Sequence, residues 1–350
     1  AERNTLVCLG IPGRVVEMLD GYEGQLALVD VAGERRRVNV GMLPEETFAP
    51  GDWVIIHLGF VIEKTDQAGA RQALMLGSPL LDRLPGRRWR VWSCCGRDGS
   101  VLTTDRAAGG TMFAAYAYPP NELGYCGPPE PPARSAGPAE MNTYAAAFDG
   151  AWPYLTELAV TAGRSDPLDP DVVRSYWVGG PLLDRVDGDR LLDRLRHALA
   201  GQPTGLLAEV SGADALAHHS FHVFVVYPWV RFLSAEMPPT APPLRILQDC
   251  RIRWGVVESV DDRTVVMTSR RLCLAGGMLA LGPPGAETVR WRAADGTALI
   301  ARPSPGETVA AHGNWVCGRL DDEQRADLDA ATASTLEVVN RLRAEMCQVR

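Results

Sequence analysis

Along the chain, apolar and polar positions follow two different periods. Residues 15–18, 26–31 and 35–40 form short β-rich runs, separated by glycine turns at 21–24 and at Gly33. Pro50-Gly51-Asp52 punctuates the pattern before two further runs at 53–58 and 60–63, and residues 66–75 have helical composition. Five short strands and a helix in about 70 residues predict a small closed barrel of the OB-like kind. Residues 76–100, with Gly77, Pro79, Pro85 and Gly86 amid arginines, read as a linker. From about 104 to 235 the period changes. Residues 141–158 and 191–199 carry apolar side chains at three- and four-residue spacing, which predicts helices with one buried face, and 221–232 reads as an aromatic helix. Proline-rich stretches at 128–138 and 238–243 interrupt this region, and from Ile246 the β pattern returns.

The returning pattern repeats the opening one. Gly13-Arg14-Val15-Val16-Glu17 resembles Gly255-Val256-Val257-Glu258, and Cys8 and Cys250 each stand five residues before their glycine. Pro50-Gly51-Asp52-Trp53-Val54-Ile55-Ile56-His57 aligns with Pro305-Gly306-Glu307-Thr308-Val309-Ala310-Ala311-His312 without a gap. Nine residues beyond each histidine stands an aspartate, Asp66 or Asp321. Four features in the same order predict an internal duplication. The expected fold class is thus α+β: a barrel plus helix at 1–78, a linker at 79–103, a helical middle domain at 104–243, and at 244–350 a second barrel with a trailing helix.

Composition narrows the function classes. Of 350 residues, 46% are hydrophobic and 22% charged, which excludes disorder for most of the chain. The most apolar run, 221–233, is too short to cross a bilayer and holds Pro228 and Arg231. A net charge of -8 without basic clusters argues against nucleic-acid binding. Lys64 is the only lysine, an arginine skew that points to a GC-rich genome. Eight cysteines without a C-x-x-C pair support neither a disulfide scaffold nor a zinc ribbon, and with no visible signal peptide a cytoplasmic setting is expected.

Val7-Cys8-Leu9-Gly10-Ile11-Pro12-Gly13, with Val29-Asp30, Arg36-Arg37-Val38 and Gly51-Asp52-Trp53-Val54-Ile55-Ile56-His57-Leu58-Gly59-Phe60, resembles the HypC/HupF family over about the first 75 residues. The resemblance implies an OB-like barrel with a trailing helix, acting as a chaperone of [NiFe]-hydrogenase maturation. It implies a transient cargo, an iron bearing cyanide and carbon monoxide, passed between a HypD-like scaffold protein and the hydrogenase large subunit. Cys8 and His57 would be the metal residues, and Leu9, Gly10, Ile11, Pro12 and Phe60 the partner-binding ones. The C-terminal repeat becomes, on the same resemblance, a degenerate HypC-like barrel. Residues 116–121 and 123–128 are similar to an uncharacterised domain fused to such chaperones.

The chemistry suits this cargo. Low-valent iron with π-acceptor ligands calls for a soft anionic donor, which a cysteine thiolate supplies, and a nearby histidine can either take the thiol proton or contact the iron's ligands. Family members begin Met-Cys, whereas seven residues precede Cys8 here, so translation is expected to start at Val7, read as Met from a GTG codon.

Other candidates remain open. Cys250 and His312 occupy positions equivalent to Cys8 and His57, and are either a second iron-handling pair or structural. Cys126 lies in a loop of turn formers, and His218 and His222 share one face if that segment is helical. These three define an alternative, an enzyme acting on a ligand precursor or the metal. A third alternative is a metal-free adaptor for the immature large subunit.

Overall fold

The computed structural model describes residues 11–73 and 104–348, apart from 20–23, 32, 44, 58, 72, 123–126, 129–130, 201–203, 236 and 239–240. The chain divides into two compact units, residues 1–101 with 122–129, and residues 102–121 with 130–350.

The first unit holds five strands, β1 (Ile11–Met18), β2 (Leu26–Val31), β3 (Glu34–Asn39), β4 (Trp53–His57) and β5 (Phe60–Thr65). They pair in the order β1-β2-β3-β5-β4, and β4 pairs back to β1, so every strand has two neighbours. Alternate residues Val15, Ala27, Val29, Val38, Val54, Ile56 and Val61 fill the interior, as the period of two in a pleated strand dictates. β1 serves two neighbours by bending at a bulge between Val15 and Glu17. A helical turn at 67–71 follows β5.

The second unit opens with helices α1 (Thr104–Glu122), α2 (Pro138–Ala146), α3 (Trp152–Ala162), α4 (Pro170–Trp177) and α5 (Gly188–Ala198). Their boundaries follow capping chemistry. Asp169 and Asp187 accept the amide hydrogens of Asp171 and Arg190 at 3.0 Å, and Gly163 ends α3 at φ +67°. The helical periodicity of 141–158 is broken between Ala146 and Trp152, where Asp149-Gly150 turns the chain and Pro153 restarts it. The expected aromatic helix at 221–232 is also absent. Instead a one-turn helix, His219–Phe221, passes into a π-helical turn, His222–Val226, and then a 3-10 turn, Pro228–Phe232. Pro228 lacks the amide hydrogen that would carry the helix on.

Helix α6 (Pro242–Cys250) leads into β6 (Arg253–Val260), β7 (Thr264–Ala275), β8 (Met278–Arg290), β9 (Thr308–His312) and β10 (Trp315–Arg319), and the 27-residue α7 (Asp322–Gln348) closes the unit. Asp321 and Gln324 exchange side-chain-to-amide bonds of 2.8 and 3.1 Å, a capping box at the start of α7.

This sheet repeats the pairing of the first, β6-β7-β8-β10-β9 with β9 returning to β6. The registers coincide as well. Gly13 faces Val54 and Gly255 faces Val309, and the bulge at Val15/Glu17 has its counterpart at Val257/Ser259. The glycines are required by close passage. A Cβ on Gly13 would stand 2.6 Å from Val29 Cγ1, and one on Gly255 2.8 Å from the Thr268 carbonyl oxygen. The difference lies in the central hairpin, where β7 and β8 run 12 and 13 residues against six and six for β2 and β3.

Candidate functional site

In the first unit the candidates that are described, Ile11, Pro12, Phe60 and the backbone of His57, stand at one end of the β1–β4 ladder. Ile11 pairs with Ile56, the residue before His57, and His57 pairs with Phe60 across a tight turn in which Gly59 takes φ +83°. Asn39 braces that turn from β3, its amide donating to the Gly59 carbonyl at 2.8 Å. Ile11 is 55% exposed, whereas Phe60 is fully buried. Cys8, Leu9 and Gly10 lie outside the described residues, as do Cys126 and the side chain of His57.

A charged anchor holds the other end of β4. Lys64 bonds the Asp52 carboxylate at 2.8 Å and the Thr47 carbonyl at 2.7 Å, and this partner holds the Asp52 carboxyl below its ordinary range. The second sheet builds the same device from Glu307, Arg319 and the Arg302 carbonyl, at 2.8 and 2.7 Å.

In the second unit, three candidate positions do converge, around a residue the sequence did not single out. His219 stands between His222 and His312, with ring centroids 6.3 and 5.2 Å away, and Trp177 packs on it at 4.5 Å. The hydrogen bonds fix the tautomers. His219 Nε2 donates to the Cys250 carbonyl at 2.9 Å, so its Nδ1 accepts the Tyr176 hydroxyl at 3.1 Å. His312 Nδ1 donates to the Tyr116 carbonyl at 2.7 Å, which leaves the lone pair on Nε2 facing the interior without a hydrogen-bond partner. His222 meets the Tyr154 hydroxyl through Nδ1 at 3.3 Å.

His218 does something else. Its backbone is extended at φ -131°, and its Nδ1 accepts the Ser220 amide hydrogen at 3.0 Å, capping the one-turn helix. His218 and His222 therefore do not share a helix face, because the helix begins after His218. His219 and His222 are the pair that do. The signal available beforehand was only the run of three histidines; the one-turn helix that selects among them leaves no periodicity to read.

Burial sets the protonation of this cluster. It pushes His218 down to about 3, His222 and His312 to about 4, and His219 well below the usual imidazole value. Cys317, 2% exposed, is pushed up to about 12 and stays a thiol at neutral pH. Cys250 is also buried, at 5% exposure. The cluster is a neutral, hydrogen-bonded core. Among the described residues no three His, Cys, Asp or Glu side chains stand in an arrangement that holds a metal ion. Nor, among them, is any helix long and apolar enough to cross a membrane.

Comparison with known proteins divides the chain at the same place. Residues 7–76 match the HupF/HypC family, and residues 105–346 match a family of unknown function, DUF6390. Over 78 residues the chain is 37% identical to hydrogenase maturation factor HypC of Helicobacter hepaticus, covering 22% of this chain and 86% of that protein. It is 41% identical over 70 residues to HypC of Azotobacter chroococcum mcd 1, covering 20% and 77% respectively. For hydrogenase maturation factor HybG of Escherichia coli K12 the identity is 36% over 70 residues, covering 19% and 84%.

Proposed function

From a chain that belongs to the HupF/HypC family through residues 7–76 and to the DUF6390 family through residues 105–346, we propose a hydrogenase maturation chaperone with iron carrying cyanide and carbon monoxide as its cargo. Cys8 is the ligand in this proposal and His57 the neighbour that takes its proton. The proposed partners are a HypD-like scaffold protein, which loads the iron, and the hydrogenase large subunit, which receives it, in the cytoplasm.

The pairing of Ile11 with Ile56 carries this proposal. Cys8 lies three residue steps before Ile11 along the chain, a reach of at most about 10–11 Å even when fully extended. His57 follows Ile56 directly, which supports a proposal that sets the thiol and the imidazole at one end of one ladder. The thiolate is a soft donor suited to iron with π-acceptor ligands, and a single such donor releases its cargo more readily than a closed four-ligand site. Exposed Ile11 offers an apolar contact beside that end for a partner.

The second sheet is, in the same proposal, a HypC-like copy that has become scaffold. Its equivalents Cys250 and His312 are 5% and 1% exposed, and His312 is already bonded to Tyr116. The test is infrared spectroscopy of protein purified anaerobically together with its partners. Cyanide and carbonyl bands are expected, lost in Cys8→Ala and kept in Cys250→Ala. Bands that survive Cys8→Ala overturn the assignment of the ligand, and their absence from every preparation overturns the cargo.

A further inference from the structure

A pocket of about 220 Å³ opens on the second sheet where β6 begins, between the β7–β8 hairpin and α7. Its floor holds two buried guanidinium groups, Arg251 at 3% exposure and Arg253 at 5%. Arg253 gives Nε and Nη2 to the Glu287 carboxylate at 2.7 and 3.0 Å and keeps Nη1 without a hydrogen-bond partner. Arg251 has only neutral acceptors, the Gln248 side-chain oxygen at 3.0 Å and the Arg270 carbonyl. Arg270, on the same wall, also spends its donors on carbonyls, those of Gly282 and Leu281 at 2.8 and 3.0 Å.

Of the carboxyl groups nearby, Asp249 interacts with Arg253 and is raised by burial, and Glu287 and Asp329 are already taken. Glu287 accepts from Arg253 and Ser269. Asp329 accepts the Trp254 indole hydrogen at 2.6 Å and lies 3.8 Å from Arg325. Arg251 has no carboxylate among its hydrogen-bond partners, and burial together with Arg253 pulls its guanidinium down to about 9. A buried charge without a counter-ion costs several kcal/mol, a cost that a bound anion removes. The remaining wall is apolar, with Trp254, Val256, Leu281, Pro284 and Leu328.

We propose that this pocket binds a small organic carboxylate, its oxyanion on Arg251 and Arg253 and its apolar body against Trp254, Leu281 and Pro284. Guanidinium and carboxylate match in planar, two-pronged geometry, which favours a carboxylate over a rounder oxyanion. The volume suits a ligand of roughly ten non-hydrogen atoms, below the range of drug-sized sites. This site is independent of the cargo proposed for the first unit. The corresponding position of the first sheet is Ile11, so the basic floor belongs to the second sheet.

Calorimetric titration of the full chain tests the proposal, with benzoate as the probe and benzamide and inorganic phosphate beside it. Benzoate is expected to bind, with benzamide and phosphate each at least about tenfold weaker, since one tests the charge and the other the apolar wall. Arg251→Met, which removes an uncompensated charge, is expected to lower benzoate affinity at least about tenfold. Val256 is 40% exposed at the pocket wall, so Val256→Glu tests the same electrostatics on a position the fold tolerates, with the same loss expected. Equal binding of benzamide, equal binding of phosphate as an adventitious ion only, or unchanged affinity in Val256→Glu overturns the proposal.

Discussion

In the first sheet the residue that opens β1, Ile11, is 55% exposed; its counterpart in the second, Arg253, is 5% exposed and pinned to Glu287. Both occupy the same register, each opposite the residue that precedes a histidine at the end of the neighbouring strand. The shared parts are those that close the ring of strands: a glycine where β1 or β6 passes its neighbours, a bulge two residues on, and an acid–base pair across the last hairpin. Among the described residues, the second sheet's ladder end is covered from within its own unit. In the second unit Tyr116, Trp177 and His219 pack over His312 and seal it. A shared strand order thus fixes register without fixing what packs on it, and the burial of Cys250 and His312 belongs to the second unit's own layer.

The largest expected departure between the sheets is in acid. The unfolded chain protonates each imidazole below about pH 6.5, whereas His312 and His222 wait until about 4, His218 until about 3, and His219 still lower. Between these limits the unfolded state binds more protons, so stability is full above about pH 6.5 and falls as pH drops toward 4. Each histidine contributes a slope of up to about 1.4 kcal/mol per pH unit. Asp249, whose carboxyl is raised by burial, opposes this in part. Urea unfolding of the full chain from pH 7 to 4.5, read segment by segment through hydrogen exchange, should show β6–β10 weakening first. A flat profile over that range would break the link between burial and sealing.

A smaller effect separates the two glycines. Gly13→Ala pushes against the ends of Val29 and Ile56, which are side chains, whereas Gly255→Ala meets the Thr268 carbonyl, which is backbone. Overpacking is expected to cost about 1–2 kcal/mol in the first case and about 2–3 kcal/mol in the second. Denaturant midpoints of the two variants check the order, and a reversed order shows that the second sheet yields more easily than the first. Smallest of all are the hairpin ion pairs. Asp52→Asn and Glu307→Gln should each cost less than about 1 kcal/mol, being partly solvent-screened surface pairs. Double-mutant cycles with Lys64 and Arg319 measure them, and coupling above that ceiling marks the pairs as register pins.

Much of this plan was legible in the chain, for particular reasons. The likeness of the two sheets was legible because its marks are local: Gly13 and Gly255, the Pro-Gly-acid turns, and the histidines at strand ends. The pairing of Asp52 with Lys64, and of Glu307 with Arg319, was not visible, since it needs the register of a hairpin. The helical layer was legible by period but not in its breaks, because Pro228 and the turn at 147–151 act through backbone geometry that a count of apolar spacing passes over. His219 was hidden for the same reason, its role depending on a single helical turn. The basic pocket was hidden differently. Arg251 and Arg253 flank Ile252 in the chain, while their hydrogen-bond partners stand on α6, β7 and β8.

Lys64 has one more consequence. It carries the only side-chain amine of the chain, and the structure sets it on β5, 30% exposed and tethered to Asp52 and Thr47. Amine-directed reagents have a single side-chain address, at the opposite end of β4 from His57. A crosslinker or fluorophore placed there reports on whatever approaches the first sheet without touching the thiol or the imidazole. For a protein whose proposed work is a handover, this is a natural handle for timing the exchange.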